Sequence, residues 1–562
     1  MAPTPGILYV TMQPRDSLPL AQFHDWYNNE HGPNRLRLSF CRNGFRYRAS
    51  DISSSQAASE THPEWMAIYD IDDMDYLTQD VYTRLRKEPV QSQRERDTMK
   101  HIKVDRRFYD FLEEWRDENE YQTGEYIPKE LEDVRNEGKG NVMIHVGFTL
   151  HPGQDKEEEL EKWYTEEHVP LLMKVPGWRR TRRFVTSHLD LQDGKPKEFI
   201  ALHEYAPENG LGGPEFQVAT STPRTNEIYT SVVQEKRRRV YNLYYTFSPI
   251  PRDLTSLSDP STTATTSPDA LTTTTPSHTS PTISSFLTAP DGAHIPYTLT
   301  GNPSPHAPLL ILIPSILTLP TIWDPFITHF TALTHNTYRI LTYTPRTYTA
   351  PHVSPTFPTH LDKLGHDPLV LADYMRARTF YLVGVSLGGA TALNLALKMD
   401  NRIAGFVACD TNSVAPVGNA KAWGERIAQA EEEGAVDESG EGIVGGRLAE
   451  ATVRRWFAEA SFADAEVAGR IEEVKQMVKG NNLEGFKEGV QALYKYNLSG
   501  GMGLYKGKGG LLAGAEDGIL PETMRGMAQD YGVELRVVEG AGHLPMVERP
   551  REVAEFVARV FG

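Results

Sequence analysis

Apolar and polar positions alternate in three different rhythms along this chain. Ile7–Met12 reads as an apolar strand, and the segment after it changes to a helical period. Phe23, Trp26, Tyr27, Glu30 and His31 fall at i, i+3, i+4, i+7 and i+8, one face of a 3.6-residue repeat. Gly32 and Pro33 interrupt it. Strands are predicted around Phe45–Arg48 and Trp65–Tyr69, a helix around Met74–Lys87, and a closing strand around Arg107–Phe111. The order is βαββαβ.

After a charged connector, roughly 113–139, the same grammar returns. A strand over Val142–Leu150 precedes a helix whose face carries Leu160, Trp163, Tyr164, Glu167 and His168. Trp26-Tyr27-x-x-Glu30-His31-x-Pro33 aligns with Trp163-Tyr164-x-x-Glu167-His168-x-Pro170 at one constant offset, 168 − 31 = 137. Phe199–Tyr205 answers the Trp65 strand, and Val240–Tyr245 answers the closing strand. The pattern is an internal repeat. Each copy is expected to form a ferredoxin-like antiparallel sheet with helices on one face, and the two open faces are expected to bury each other.

The third rhythm begins near residue 286. Phe286–Thr288 and His294–Leu299 flank the turn Pro290-Asp291-Gly292 and predict a hairpin. Short buried strands then alternate with helices: Leu309–Ile313, Tyr338–Tyr343, a helix over Leu361–Met375, Phe380–Val385, Ile403–Cys409, Gly510–Gly514 and Glu534–Glu539. This is α/β architecture around a mostly parallel sheet. A charge-rich helical stretch, Ala420–Tyr496, interrupts it as a lid would. The domain reading is 1–120 and 138–248 for the two repeats, 249–285 for a linker, and 286–562 for the α/β domain with a lid at about 411–500. In the linker about two-thirds of residues are Ser, Thr or Pro, which predicts a disordered tether.

Composition narrows the classes. A net charge of −17 argues against nucleic acid or an anionic membrane as a partner. Cys41 and Cys409 have no metal-ligand or redox spacing, so neither a disulfide framework nor a metal site is expected. No apolar run approaches the roughly 20 residues of a membrane span, and Met1–Gly6 lacks a basic-then-apolar leader. The expectation is a soluble, cytoplasmic protein without a cofactor. Oligomeric state is left open.

The candidate chemistry lies at Gly384-Val385-Ser386-Leu387-Gly388. A strand enters this Gly-x-Ser-x-Gly and a small-residue helix leaves it, as a nucleophile elbow requires. An acid candidate, Asp517, follows the Gly510–Gly514 strand, and a histidine, His543, follows the Glu534–Glu539 strand. Nucleophile, acid, histidine is the chain order of α/β-hydrolases. His543 would take the Ser386 proton and Asp517 would orient its ring. Asp410, one strand earlier, is the rival acid. Backbone N–H groups of Leu387 and Ile316 are the oxyanion candidates. In the repeats, His31 and His168 are candidate general acid–base groups of a second site, with helix-end structural roles as the alternative. Trp26, Tyr27, Trp163 and Tyr164 read as core.

Two resemblances sharpen this. The W-Y-x-x-E-H-x-P signature, present twice within βαββαβ units, makes residues 5–248 resemble the EthD-like branch of the dimeric α/β-barrel families. Those families include polyketide-tailoring, ring-modifying and monooxygenase-like members. Residues 286–562 resemble the 3-oxoadipate enol-lactonase branch of the α/β-hydrolases, through Trp323-Asp324-Pro325, the Ser386 elbow, Cys409-Asp410-Thr411-Asn412, Trp423-Gly424-Glu425-Arg426, Arg455-Trp456-Phe457 and Ala541-Gly542-His543. That resemblance implies a small lactone or ester substrate, with Trp423 and Arg426 lining the pocket. Two loops depart from it. Pro314-Ser315-Ile316-Leu317 lacks a glycine near its end, and Thr344-Pro345-Arg346-Thr347-Tyr348 lacks the R-G-x-G glycines. Three functions remain: a serine hydrolase with an accessory barrel; ring chemistry in the barrel with the hydrolase acting on its product; and a non-catalytic hydrolase-like binding module. A place in aromatic catabolism or secondary metabolism suits the first two.

Overall fold

The computed structural model describes residues 2–52, 57–117, 140–349, 359–399, 401–500 and 505–562. The chain divides into two compact units, Met1–Asp253 with Ser267–Asp269, and Leu254–Thr266 with Ala270–Gly562.

Eight antiparallel strands close the first unit into a barrel. They are β1 (Gly6–Pro14), β2 (Cys41–Ala49), β3 (Trp65–Ile71), β4 (Ile102–Arg116), β5 (Val142–Leu150), β6 (Trp178–Thr186), β7 (Phe199–Tyr205) and β8 (Val233–Thr246). The barrel order is β1-β3-β2-β8-β5-β7-β6-β4, so each four-strand run follows the same positional order, fourth-first-third-second. The runs join through β2–β8 and β4–β6 pairing. Alternation along the strands separates the apolar side chains into inner and outer sets. Tyr9, Tyr47, Ile68, Met143, Ile200 and Leu243 pack in one cluster drawn from both runs. Two further clusters, around Phe23, Trp26 and Trp65 and around Leu160, Trp163 and Tyr205, join each run to its helices.

Two expectations for this unit change. The Trp-Tyr-x-x-Glu-His motifs do not continue one α-helical face: Tyr27–His31 and Tyr164–His168 are single π-helical turns. The N–H of Gly32 donates to Tyr27 O, and that of Val169 to Tyr164 O. Pro33 and Pro170 have no N–H to offer the carbonyl four residues back, which favours the wider turn. The helix expected over Met74–Lys87 is broken into turns at Met74–Thr78, Asp80–Thr83 and Arg84–Arg86. The regular helix before β4 is Gln93–Met99, where the Ser92 side chain accepts from Glu95 N–H.

The second unit is a ten-stranded sheet: β9 (Thr265–Thr266), β10 (Thr273–Thr275), β11 (Thr282–Thr288), β12 (His294–Gly301), β13 (Leu309–Ile313), β14 (Arg339–Tyr343), β15 (Phe380–Val385), β16 (Ile403–Cys409), β17 (Lys508–Gly514) and β18 (Glu534–Val538). Its order is β18-β17-β16-β15-β13-β14-β12-β11-β10-β9. Strands β13 to β18 pair in parallel and the remainder are antiparallel. Between β16 and β17 the described residues include the α-helices Asn419–Glu433, Gly446–Trp456, Ala465–Gly480 and Leu483–Gln491 and the 3-10 turn Glu459–Ala463.

The expectation of a disordered tether over 249–285 is corrected. This stretch holds a short helix, Leu254–Leu257, and the strands β9, β10 and the start of β11. Threonine is β-branched and suits an extended backbone, and its hydroxyl finds partners across the strands. Thr265 and Thr274 hydroxyls are 2.7 Å apart, Thr272 and Ser285 2.7 Å, and Thr282 and Thr300 2.9 Å. Composition alone missed an edge built on cross-strand hydroxyls.

Candidate active site

The turn from β15 into the helix Leu387–Lys398 sets Ser386 at φ 58°, ψ −119°. This left-handed backbone is costly for a residue with a Cβ, and it persists because its surroundings leave no alternative. A Cβ on Gly384 would lie 2.2 Å from Gly388 O, and one on Gly388 would lie 2.4 Å from Ile313 O. The strand, helix and neighbouring loop therefore close on the serine only because those two positions are glycine. Ser386 N–H donates to Cys409 O at 2.9 Å. The Leu387 N–H is in the first turn of the helix, where no intrahelical acceptor exists. Leu387 and Ile316 border the same cavity, of about 20 Å³, with Ser315 and Gly388. That volume is room for about one water. Leu317 has φ 67°, so the chain adopts a left-handed turn where the resemblance leads one to expect glycine.

At the ends of β17 and β18, His543 Nδ1 lies 2.7 Å from Asp517 Oδ2. A carboxylate accepts and cannot donate, so the Nδ1 proton belongs to histidine and Nε2 is left to act as base. Burial raises Asp517, but the charge and hydrogen bond of His543 outweigh it and leave the carboxyl below its ordinary value. Among the described residues the Ser386 hydroxyl makes no hydrogen bond to His543. Such contacts are often loose before substrate binds.

Asp410 is held behind this pair. Its Oδ1 accepts the Gly514 N–H at 2.9 Å. One oxygen from each of Asp410 and Asp517 and one ring nitrogen of His543 lie within 4.8 Å of one another. Burial, and next the Asp517 charge, push Asp410 well above the usual carboxyl range, the opposite direction to Asp517.

A buried carboxylate that the sequence reading passed over fixes the histidine loop. Glu548 Oε2 accepts Gly542 N–H at 2.6 Å, while Oε1 accepts Ala458 N–H at 2.9 Å and the Ser461 hydroxyl at 2.6 Å. His543 N–H donates to Trp456 O at 2.6 Å. The loop is thus tied to the C-terminal end of a lid helix. Pro545-Met546-Val547-Glu548 gives no spacing from which this role could be read.

Trp423 and Arg426 both lie on the lid helix Asn419–Glu433, with the guanidinium 4.5 Å from the indole centroid. Arg455, on the helix Gly446–Trp456, is lowered to about 10, first by desolvation and then by Arg426, against the opposing pull of Asp517. Among the described residues neither arginine forms an ion pair. In the loop lacking the glycines, Arg346 binds Asp367 through both guanidinium ends, with Nε at 2.8 Å, and Asp291 at 2.6 Å. This staples the loop to the helix Leu361–Tyr374.

In the barrel, His31 and His168 differ. His31 is packed against Trp26 and Tyr27, with ring centroids at 4.6 and 4.7 Å, and its Nδ1 is 3.3 Å from Glu95 Oε1. Glu30 is bonded to Ser92 and raised to about 7, chiefly by burial. His168 stacks on Trp163 at 4.2 Å, donates from Nδ1 to Ala219 O at 3.0 Å, and lines a cavity. Burial lowers each histidine to about 4, so both are neutral near pH 7.

This architecture agrees with comparisons to known proteins. Residues 310–556 match the sequence model of the alpha/beta hydrolase family. Over 246 residues the chain is 25% identical to 3-oxoadipate enol-lactonase 2 of Acinetobacter baylyi, covering 43% of this chain and 85% of that protein. It is 24% identical to 3-oxoadipate enol-lactonase 1 of the same organism over 253 residues, 45% of this chain and 87% of that protein. A hydrolase from Pseudomonas aeruginosa PA01 of known structure is 31% identical, covers 50% of this chain and 98% of that one, and superposes with a TM-score of 0.43. The region 310–556 is an α/β-hydrolase, similar to enol-lactonases. No helix among the described residues is long and apolar enough to cross a membrane.

Proposed function

We propose that the second unit is a serine hydrolase that opens a small lactone or cleaves a small ester. Ser386 is the nucleophile, His543 the general base and acid, and Asp517 the group that holds the His543 ring. The observation that carries this reading is the 2.7 Å His543–Asp517 hydrogen bond formed between strand-end loops, in the same sheet that strains Ser386 at its elbow. His543 Nε2 takes the Ser386 proton as Oγ attacks the carbonyl, and returns it to the leaving oxygen. Water then repeats the cycle on the acyl-enzyme. The oxyanion falls to the N–H groups of Leu387 and Ile316, with the helix Leu387–Lys398 presenting its positive end. Asp517 is favoured over Asp410 because it is Asp517 that bonds His543 Nδ1, whereas Asp410 bonds Gly514 N–H and burial raises its carboxyl.

Arg455, which feels the Asp517 charge, and its neighbour Arg426 form no ion pair among the described residues and support an anionic substrate, such as a lactone bearing a carboxylate. The enol-lactonase relatives are consistent with that class. For the first unit, the equal strand order of its two runs and the paired π-turns support a tandem, EthD-like ferredoxin repeat.

The test is hydrolysis by the full chain of a carboxylate-bearing enol-lactone and of its methyl ester. Turnover that is lost in Ser386→Ala and in His543→Ala supports the reading. A folded wild-type chain that turns over neither substrate would falsify it.

A further inference from the structure

The two runs of the barrel are not equivalent where helix meets sheet. In the first, the space is full. Phe247 stacks on Tyr69 and Tyr27 at 5.6 and 5.5 Å, and a Cβ on Gly32 would come within 2.3 Å of its ring. Buried Arg35 donates to His31 O at 2.7 Å beside them. In the second, the same space is a cavity of about 240 Å³.

The cause is legible residue by residue. At the offset of 137, Arg35 corresponds to Leu172, since 172 − 137 = 35, and Leu172 lines the cavity. Ala67 faces Val10 as Ala201 faces Val146, so Tyr69 corresponds to His203 two positions on. A long cation and a large ring are thus replaced by shorter groups.

What remains is a largely apolar, ring-lined chamber with a basic rim. Among its lining residues, His203 and Tyr205 hold a ring nitrogen, Nε2, and a hydroxyl that are buried without a hydrogen-bond partner. Unpartnered buried groups of this kind cost free energy unless something binds them. Tyr164 and Tyr229 supply aromatic walls. Lys236 and Arg238 stand exposed at the lining, with the Lys236 ammonium 3.7 Å from the Tyr229 ring centroid. The lining includes no carboxylate, and among the described residues neither cation forms an ion pair. An engineered apolar cavity of about 150 Å³ in another protein holds benzene, so this one has room for a substituted ring.

We propose that this chamber binds one planar unsaturated ring bearing a carboxylate per chain, in the second run only. The carboxylate meets Lys236 and Arg238, and the ring lies against Tyr164 and Tyr229. The site is separate from Ser386 and independent of the hydrolase reading.

The probe is 1-naphthoate, titrated calorimetrically into the full chain at low salt. One site per chain is expected. Lys236→Met and Arg238→Gln, both at exposed positions, are each expected to weaken binding at least fivefold. The uncharged 1-naphthalenemethanol should bind at least tenfold more weakly, and Leu172→Phe should abolish binding by filling the chamber. Absence of binding to the folded wild type, two sites per chain, or affinity indifferent to both rim substitutions would overturn the proposal.

Discussion

Asp410 and Asp517 approach each other behind His543, and their surroundings push the two carboxyls in opposite directions. Asp410 is buried and raised, with its Oδ1 on Gly514 N–H; Asp517 is lowered, with its Oδ2 on His543. The roles are set by surroundings rather than by residue type. Asp517→Asn should therefore lower kcat by about 10⁴, the scale found when a triad acid loses its charge. Asp410→Asn keeps an acceptor for Gly514 and should leave kcat within a few-fold of wild type. Steady-state kinetics on the two variants decides between the acids; equal losses would contradict the assignment.

The same pair predicts a pH effect on stability. A carboxyl raised in the fold binds its proton more tightly there than in the unfolded chain. Its contribution is therefore lost as pH rises above the unfolded value of about 4. Asp410→Asn removes that loss. The variant should gain stability over wild type at pH 8, and the gain should vanish near pH 4, as read from thermal unfolding.

The barrel is expected to show the opposite slope. His31, His145 and His168 are each lowered to about 4, first by burial. Being neutral in the fold, they support stability above pH 6.5, and this is lost as pH falls toward 4. Each removes about 1.4 kcal/mol per pH unit in that window. Burial lowers His24 and His203 as well, in the same direction, while Glu30, raised to about 7, offsets one proton. Melting of the barrel unit between pH 6.5 and 4.5 should be acid-labile, and His145→Gln should reduce the slope by about one proton.

Glu548 offers a sharper test of the loop that carries His543. Glu548→Ala leaves the N–H groups of Gly542 and Ala458 and the Ser461 hydroxyl without their acceptor. Each orphaned group costs about 1–3 kcal/mol. A fall in melting temperature is expected together with at least a tenfold loss in kcat and little change in KM. Activity that survives a measured loss of stability would show that the clamp does not position the histidine.

Much of the second unit could be read in the sequence because its strands are short, fully apolar and bounded by turn residues. Leu309–Ile313 and Ile403–Cys409 begin and end where the pattern put them. The elbow was legible for a steric reason, since Gly384 and Gly388 are the positions where a Cβ would strike backbone. Other features were hidden by their physics. A π-turn leaves the helical periodicity of Trp26 to His31 nearly intact, and the proline that favours it reads equally as a stop. Thr265 and Thr274 looked like tether because composition does not record which hydroxyls will pair. Glu548 acts through backbone N–H groups, which have no sequence signature. The open chamber beside His168 depended on Leu172 and His203, two unremarkable residues in a run of strands whose Trp-Tyr-x-x-Glu-His motif matches that of the first.

The central claim is that Ser386 is a nucleophile activated by His543. Intact-mass measurement after exposure to a fluorophosphonate tests it most directly. The account predicts one adduct per chain, mapped to Ser386, absent in Ser386→Ala and formed at least a hundredfold more slowly in His543→Ala. A folded wild-type chain that remains unmodified, or an adduct that persists in Ser386→Ala, would contradict it.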